Sequence, residues 1–269
     1  MEASLQVISN EMIKPSSETP HLTKLKLSYL DQKSPPIYIP MIFFYQADAL
    51  RGLTSSSHIQ ISRQLKQSLS NTLTLFYPLA GRIDVEDRAV VDCNDAGAEF
   101  IEARVQAPLN HVLLEPITEQ LKHLIPGAGD ATAGARPGAA LVAVKITFFD
   151  CGGIAIGVCV SHMLADLASA MTFLNAWAAS CKGEAEVPRF TLDLADYFPP
   201  REFPDSPAHL RKLTSNEKKI VTKRFVFNKE KLEAQTGRRL SIWIKCEESD
   251  KSGSRLSFYL ETLHRCGEI

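Results

Sequence analysis

Apolar residues in this chain fall in short stretches whose period changes from two to about 3.6 and back. PIYIPMIFFYQ at 36–46 is rich in β-branched and aromatic residues and predicts a strand. Over 56–76, Ile59, Ile61, Leu65, Leu69, Leu73 and Phe76 recur at roughly helical spacing, with Ser55, Ser56 and Ser57 as N-cap candidates. YPLAGRI at 77–83 ends that helix at Pro78. RAVVDCNDAGAEFIEARV at 88–105 predicts a strand, a turn at Asn94-Asp95-Ala96-Gly97, and a second strand.

The clearest signal is a hairpin. LVAVKITFF at 141–149 and IAIGVCV at 154–160 flank the turn Asp150-Cys151-Gly152-Gly153. Leu164, Leu167, Ala168, Met171, Leu174, Trp177 and Ala178 then recur at three and four, which predicts a helix packed on one face. Between hairpin and helix stands SHMLAD, 161–166. From 183 to 219 the chain is polar and proline-rich and reads as a linker. KKIVTKRFVFNKEKLEA at 218–234 resumes with a strand and a helix start. PGAGDATAGARPGAA at 126–140 is loop. It lacks the Lys-Ser/Thr that a phosphate-cradling loop requires, and a surface connection is the simpler reading.

Composition narrows the picture. With 269 residues, 45% hydrophobic and 23% charged, the chain can bury one large core or two smaller ones. A net charge of -1 argues against nucleic acid or an anionic membrane as partner. No apolar run approaches the length of a membrane span, and MEASLQVISNEMIKP lacks the pattern of a secretory signal. The six cysteines have no framework spacing, so a reducing, cytoplasmic compartment is expected.

The candidate chemistry is His162 with Asp166. Four residues apart on a helix they would share a face, and a structural ion pair is a fair alternative. His111 with Glu115 and His264 with Glu268 repeat the spacing. Context sets His162 apart: it follows a buried strand directly, at a junction that holds a side chain rigidly at a cleft. An imidazole there can act as a general base, and the aspartate can hold geometry or shift its pKa. A metal site would need Cys159, His162 and Asp166 to converge, yet Cys159 and His162 stand three apart across a strand end and no fourth ligand is evident, so no metal is expected. No G-x-S-x-G elbow supports a nucleophilic triad.

These residues resemble a known family. SHMLAD is similar to the H-x-x-x-D motif of the plant BAHD acyltransferases, and YPLAGRI to their N-terminal signature. LSYLDQ at 27–32, VDCNDAGAEFIEARVQA at 91–107 and FFDCGGIAIGVCVSHMLADLASAMTFLNAWAA at 148–179 extend the likeness, strongest toward alkaloid-acylating members, over about residues 5 to 234. The resemblance implies an α/β (α+β) fold: a chloramphenicol-acetyltransferase-like N-terminal domain with only the start of a second such domain. It implies His162 as general base and Asp166 as structural support, paired with an arginine of the second domain. It implies no resident cofactor and designates no cofactor-binding residues here. Acyl-CoA, such as acetyl-CoA, would be the co-substrate, and a small-molecule alcohol or amine the acceptor. Full-length relatives are expected to be monomeric.

The chain departs from the family in two places. Leu167 replaces the usual glycine after the aspartate, and the C-terminal D-F-G-W-G motif is absent. The expected organisation is therefore an N-terminal acyltransferase domain at 1–182, a crossover at 183–217 and a fragment of the second domain at 218–269. From about 235 the text has neither clean period. Permitted codons for 249–269, shifted forward by one nucleotide, read PTRVEAVSAFIWKHCIDVAR, similar to the helix that opens the family's second domain, so this tail is expected to be out of frame. The competing reading is a catalytically silent fragment that at most binds a partner or ligand. A third is a condensation-type domain of the same superfamily, which would carry a second histidine where Ser161 stands.

Overall fold

The computed structural model describes residues 5–19, 23–48, 50, 57–84, 86–114, 118–129, 138–184 and 191–201. In chain order these form β1 (Leu5–Ile13), β2 (Lys24–Lys26), α1 (Tyr29–Lys33), β3 (Tyr38–Tyr45), α2 (His58–Leu75), a 3₁₀ turn (Tyr77–Ala80), β4 (Arg82–Ile83), β5 (Val90–Asp92) and β6 (Ala98–Val105). Then follow α3 (Asn110–Leu114), α4 (Thr118–Lys122), a second 3₁₀ turn (Pro126–Gly129), β7 (Val142–Phe149), β8 (Ile154–Ser161), α5 (Leu167–Lys182) and α6 (Leu194–Tyr197). A five-stranded sheet has the order β1-β6-β7-β8-β3, and β2-β5-β4 form a small sheet. β6 and β7 pair in parallel and the other neighbours antiparallel.

The expected hairpin is the centre of the large sheet. β7 and β8 pair from Val142↔Val160 to Phe148↔Ile154, and every residue of both is buried. A strand covered on both faces need not alternate with polar residues, which is why its sequence reads as a near-continuous apolar run. Val144, Ile146, Val158 and Val160 face α2 and α5 in the main core. Ala143, Phe149, Ala155 and Cys159 face the other side, with Leu109, Leu124 and Ile125. Each large side chain so buried stabilises by roughly 1.5–3 kcal/mol. Gly157 permits the second layer to lie close, because a Cβ there would stand 2.1 Å from the Leu124 carbonyl oxygen. Lys145 Nζ donates to the His123 carbonyl at 2.7 Å, tying the same segment to the sheet, and burial lowers its pKa.

Helices α2 and α5 pack together through Leu69, Leu73, Phe76, Phe173 and Trp177. Phe76 meets Phe173 edge-to-face at 5.6 Å, and the indole of Trp177 donates to Ser68 Oγ at 3.0 Å. Ser57 is the N-cap of α2, while Ser55 and Ser56 lie outside the described residues. Ile59, counted with the apolar face in the sequence, is 70% exposed, because it sits in the first turn, away from the α2–α5 seam.

The strand–turn–strand at 88–105 forms, but β5 and β6 belong to different sheets. The chain crosses between them at Asp95, with φ 52°, and Gly97, with φ +93°. A Cβ on Gly97 would stand 2.5 Å from the Ile13 carbonyl oxygen, so only glycine fits both the angle and the space.

Part of the proline-rich segment is ordered against α1. Tyr29 N donates to Phe198 O at 2.9 Å, Gln32 and Arg201 exchange two hydrogen bonds, and the Arg201 guanidinium lies 4.9 Å from the Tyr29 ring centre. The chain divides into two compact units, Met1–Pro204 and Asp205–Ile269. The strand and helix expected at 218–234 and the tail after 235 lie outside the described residues. Among the described residues no helix is long and apolar enough to cross a membrane.

Candidate active site

The site is the turn that leads from β8 into α5. β8 lies between β3 and β7, and its last backbone groups are held from both sides. Ser161 N donates to Leu141 O at 2.8 Å, and His162 N donates to Ile37 O at 2.8 Å. The Ser161 carbonyl then accepts from Leu164 N and Ala165 N, both at 3.1 Å, and closes the turn. Met163 is buried with Leu25, Leu27, Val91 and Leu141 under the small sheet, whereas Ala165 is buried in the main core. Two anchors in two separate cores leave the intervening backbone little freedom.

His162 itself is half-buried. Its Nδ1 is enclosed and has no hydrogen-bond partner among the described residues. In the tautomer with the proton on Nδ1, the Nε2 lone pair is free to take a proton from outside.

Asp166 is not one turn along a helix from His162. The apolar period suggested a helix from Leu164, but α5 starts at Leu167, and Asp166 is its N-cap with φ -79° and ψ -178°. Leu164 lies in the turn, partly buried between the two cores, and Leu167 is 54% exposed. Asp166 Oδ1 accepts from Ser169 N at 2.7 Å. This backbone bond, the Ser169 hydroxyl and the nearby charge of His162 hold the carboxyl below its ordinary pKa, against a modest burial penalty. Among the described residues neither a hydrogen bond to His162 nor an ion pair is made by Asp166. The shared-face ion pair that the spacing alone allowed is thus replaced by a helix cap, which satisfies a backbone N–H that the first turn cannot.

The other candidates fall elsewhere. Cys159 packs with Tyr38, Ile125 and Ala143, on the side of the sheet away from α5, and burial pushes its thiol up to about 12. It stays protonated and is poorly suited to bind a metal or attack a carbon. Among the described residues no three His, Cys, Asp or Glu side chains converge. Arg82, in YPLAGRI, turns inward, where Nη1 donates to Gly81 O at 2.7 Å and Gly97 O at 2.8 Å. Sequence reading missed Tyr38, whose hydroxyl donates to Ala140 O at 2.6 Å across 102 positions of chain. No local period signals a bond of that span.

Comparisons with known proteins bear on the family and the fold. The chain is 44% identical over 239 residues to stemmadenine O-acetyltransferase of Catharanthus roseus, covering 87% of this chain and 54% of the relative. It is 45% identical over 244 residues to vinorine synthase of Rauvolfia serpentina, again covering 87% and 54%. The crystal structure of vinorine synthase superposes with a TM-score of 0.69 at 42% identity, covering 87% of this chain and 55% of that one. The fold is thus the mixed α/β, chloramphenicol-acetyltransferase-like architecture the sequence resemblance implied. The chain spans about half the length of the curated relatives it matches. The Transferase family profile matches residues 3–242, a few residues past 234, where the motif-level likeness ends, and the chain belongs to this family, the BAHD acyltransferases.

Proposed function

We infer that this chain carries the catalytic histidine of an acyl-CoA-dependent acyltransferase that acetylates an alcohol group of a plant alkaloid. The observation that carries the reading is His162, fixed by the carbonyls of Ile37 and Leu141 around it, half-buried at the junction of β8 and α5 with Nδ1 enclosed. Nε2 takes the proton of the acceptor hydroxyl as its oxygen attacks the thioester carbonyl. The tetrahedral oxyanion collapses, the carbon–sulfur bond breaks, and His162 returns the proton to the departing thiolate of CoA. No acyl-enzyme forms, because both substrates meet at the base together. Asp166 acts through the fold, by starting α5 next to the histidine. The acetyl group and the hydroxyl acceptor follow from the name of one relative, stemmadenine O-acetyltransferase, and the alkaloid class of the acceptor from the likeness to alkaloid-acylating members of the family. A cytoplasmic setting belongs to the same proposal and is supported by the free thiols of Cys93, Cys151, Cys159 and Cys181.

The test is to offer residues 1–269 acetyl-CoA and a panel of hydroxylated alkaloids, following thiol release against a His162→Ala control. Turnover that depends on His162 supports the assignment, and equal turnover by His162→Ala removes it. A second reading, that residues 1–269 alone are silent, is favoured by the chain covering only 54% of each relative. It predicts no thiol release by either form, and recovery when the C-terminal half of vinorine synthase is fused after residue 242.

A further inference from the structure

The geometry points to Tyr38 as a positioning residue for His162: its hydroxyl ties together the two strands whose carbonyls hold the histidine turn. β8 is the middle strand at this level, with β3 on one side and β7 on the other. Tyr38 stands opposite Ser161 in the β3–β8 register. On the β3 side, the carbonyl of Ile37, immediately before Tyr38, accepts from His162 N. On the β7 side, the carbonyl of Leu141, immediately after Ala140, accepts from Ser161 N. The bond from the Tyr38 hydroxyl to Ala140 O, 2.6 Å long, therefore passes over the end of β8 and joins one flank to the other. The two flanks are two strand spacings apart, roughly 9–10 Å, a gap that an extended tyrosine and one hydrogen bond close.

The bond is protected. Tyr38 is 6% exposed and packs with Ile125, Ala143 and Cys159, so water does not compete freely for its hydroxyl. The brace does not touch a reacting atom. It sets how far the Ile37 and Leu141 carbonyls spread, and so where the His162 backbone lies. Small displacements of a general base cost large factors in rate, because proton transfer needs hydrogen-bond reach.

The brace is a property of the turn, and only its effect on turnover rests on His162 being the base. The experiment compares residues 1–269 with Tyr38→Phe and with Tyr77→Phe, which alters another buried tyrosine. Amide hydrogen exchange is read residue by residue. A lost hydrogen bond corresponds to about a three- to tenfold change. Tyr38→Phe is expected to speed exchange at Ser161 and His162 by that factor, leave Val144 and Val158 unchanged, and shift the His162 ring resonances. Tyr77→Phe is expected to do none of these. Where turnover is measurable, kcat falls by a similar factor with KM within about twofold. Unchanged exchange at His162 in Tyr38→Phe, or an equal rise in Tyr77→Phe, overturns the proposal. Should Tyr38→Phe not fold, 3-fluorotyrosine at position 38 keeps the bond and changes its strength. The His162 ring resonances must then move, and if they do not the brace is refuted. A His162→Ala variant with full turnover would instead remove the base assignment while leaving the exchange result standing.

Discussion

Two junctions of this fold carry sequence signatures, and they are built in opposite ways. YPLAGRI leads from α2 into the small sheet, and SHMLAD leads from the large sheet into α5. In the first, Tyr77, Pro78, Leu79, Ala80 and Gly81 are all buried, and Arg82 Nη1 donates to two backbone carbonyls. A Cβ on Gly81 would stand 2.4 Å from Asp92 O, so the segment fits only as it is. In the second, the backbone is equally well held, yet the ring of half-buried His162 makes no hydrogen bond among the described residues and Asp166 is exposed beside it. A signature buried throughout, with its arginine bonded back to the backbone, maintains the fold. A signature whose rigid backbone presents an uncommitted group is where chemistry belongs, because satisfied groups have nothing left to offer a substrate.

The sharpest break of the comparison is His162→Ala. It should lower turnover on the order of 10²–10⁴-fold in a form that turns over, while the unfolding midpoint stays within about 1 °C. A matching collapse in stability would place His162 with the architectural junction instead. The converse at the first junction is Gly81→Ala, which forces a methyl against Asp92 O. Overpacking of this kind costs about 3 kcal/mol, read as a lower denaturant midpoint. A near-neutral Gly81→Ala would mean the two junctions differ less than their packing shows.

Asp166 sharpens the comparison from within the second junction. As the N-cap of α5, Asp166→Ala should cost about 1 kcal/mol, whereas Asp166→Asn, which also caps, should cost only about 0.3 kcal/mol. Because the folded carboxyl is held below its ordinary value, its stabilisation is present above pH 4 or so and is lost as the pH falls below that. Equal losses in both variants, by thermal unfolding at pH 7, would show that charge rather than capping carries the role. The smallest effect is expected at Asp84, just beyond YPLAGRI. Hydrogen bonding from the Lys24 side chain, then from the backbone of Asp87 and Glu86, holds its carboxyl at about 2, against an ordinary 3.8. Its contribution should persist at pH 5 and fade between about pH 4 and 2, and carboxyl NMR titration should find the midpoint near 2. A midpoint near 3.8 would dissolve the contact.

The sequence alone determined the parts of this protein that depend on near neighbours. The β7–β8 hairpin, helix α2, the break at Pro78 and the placing of His162 between strand and helix were all legible, because burial repeats with the period of the backbone. The tertiary structure decided the rest. It made Asp166 a cap rather than a helix-face partner, since the turn closed by the Ser161 carbonyl uses Met163 and Ala165 as anchors before α5 begins. It sent β5 and β6 into different sheets through Gly97. It put the Tyr38 hydroxyl on Ala140 and Gly157 beneath Leu124. These contacts join residues tens of positions apart. Residue order along the chain records which side chains are apolar, whereas their partners are chosen when the layers pack and each buried polar group must find a bond.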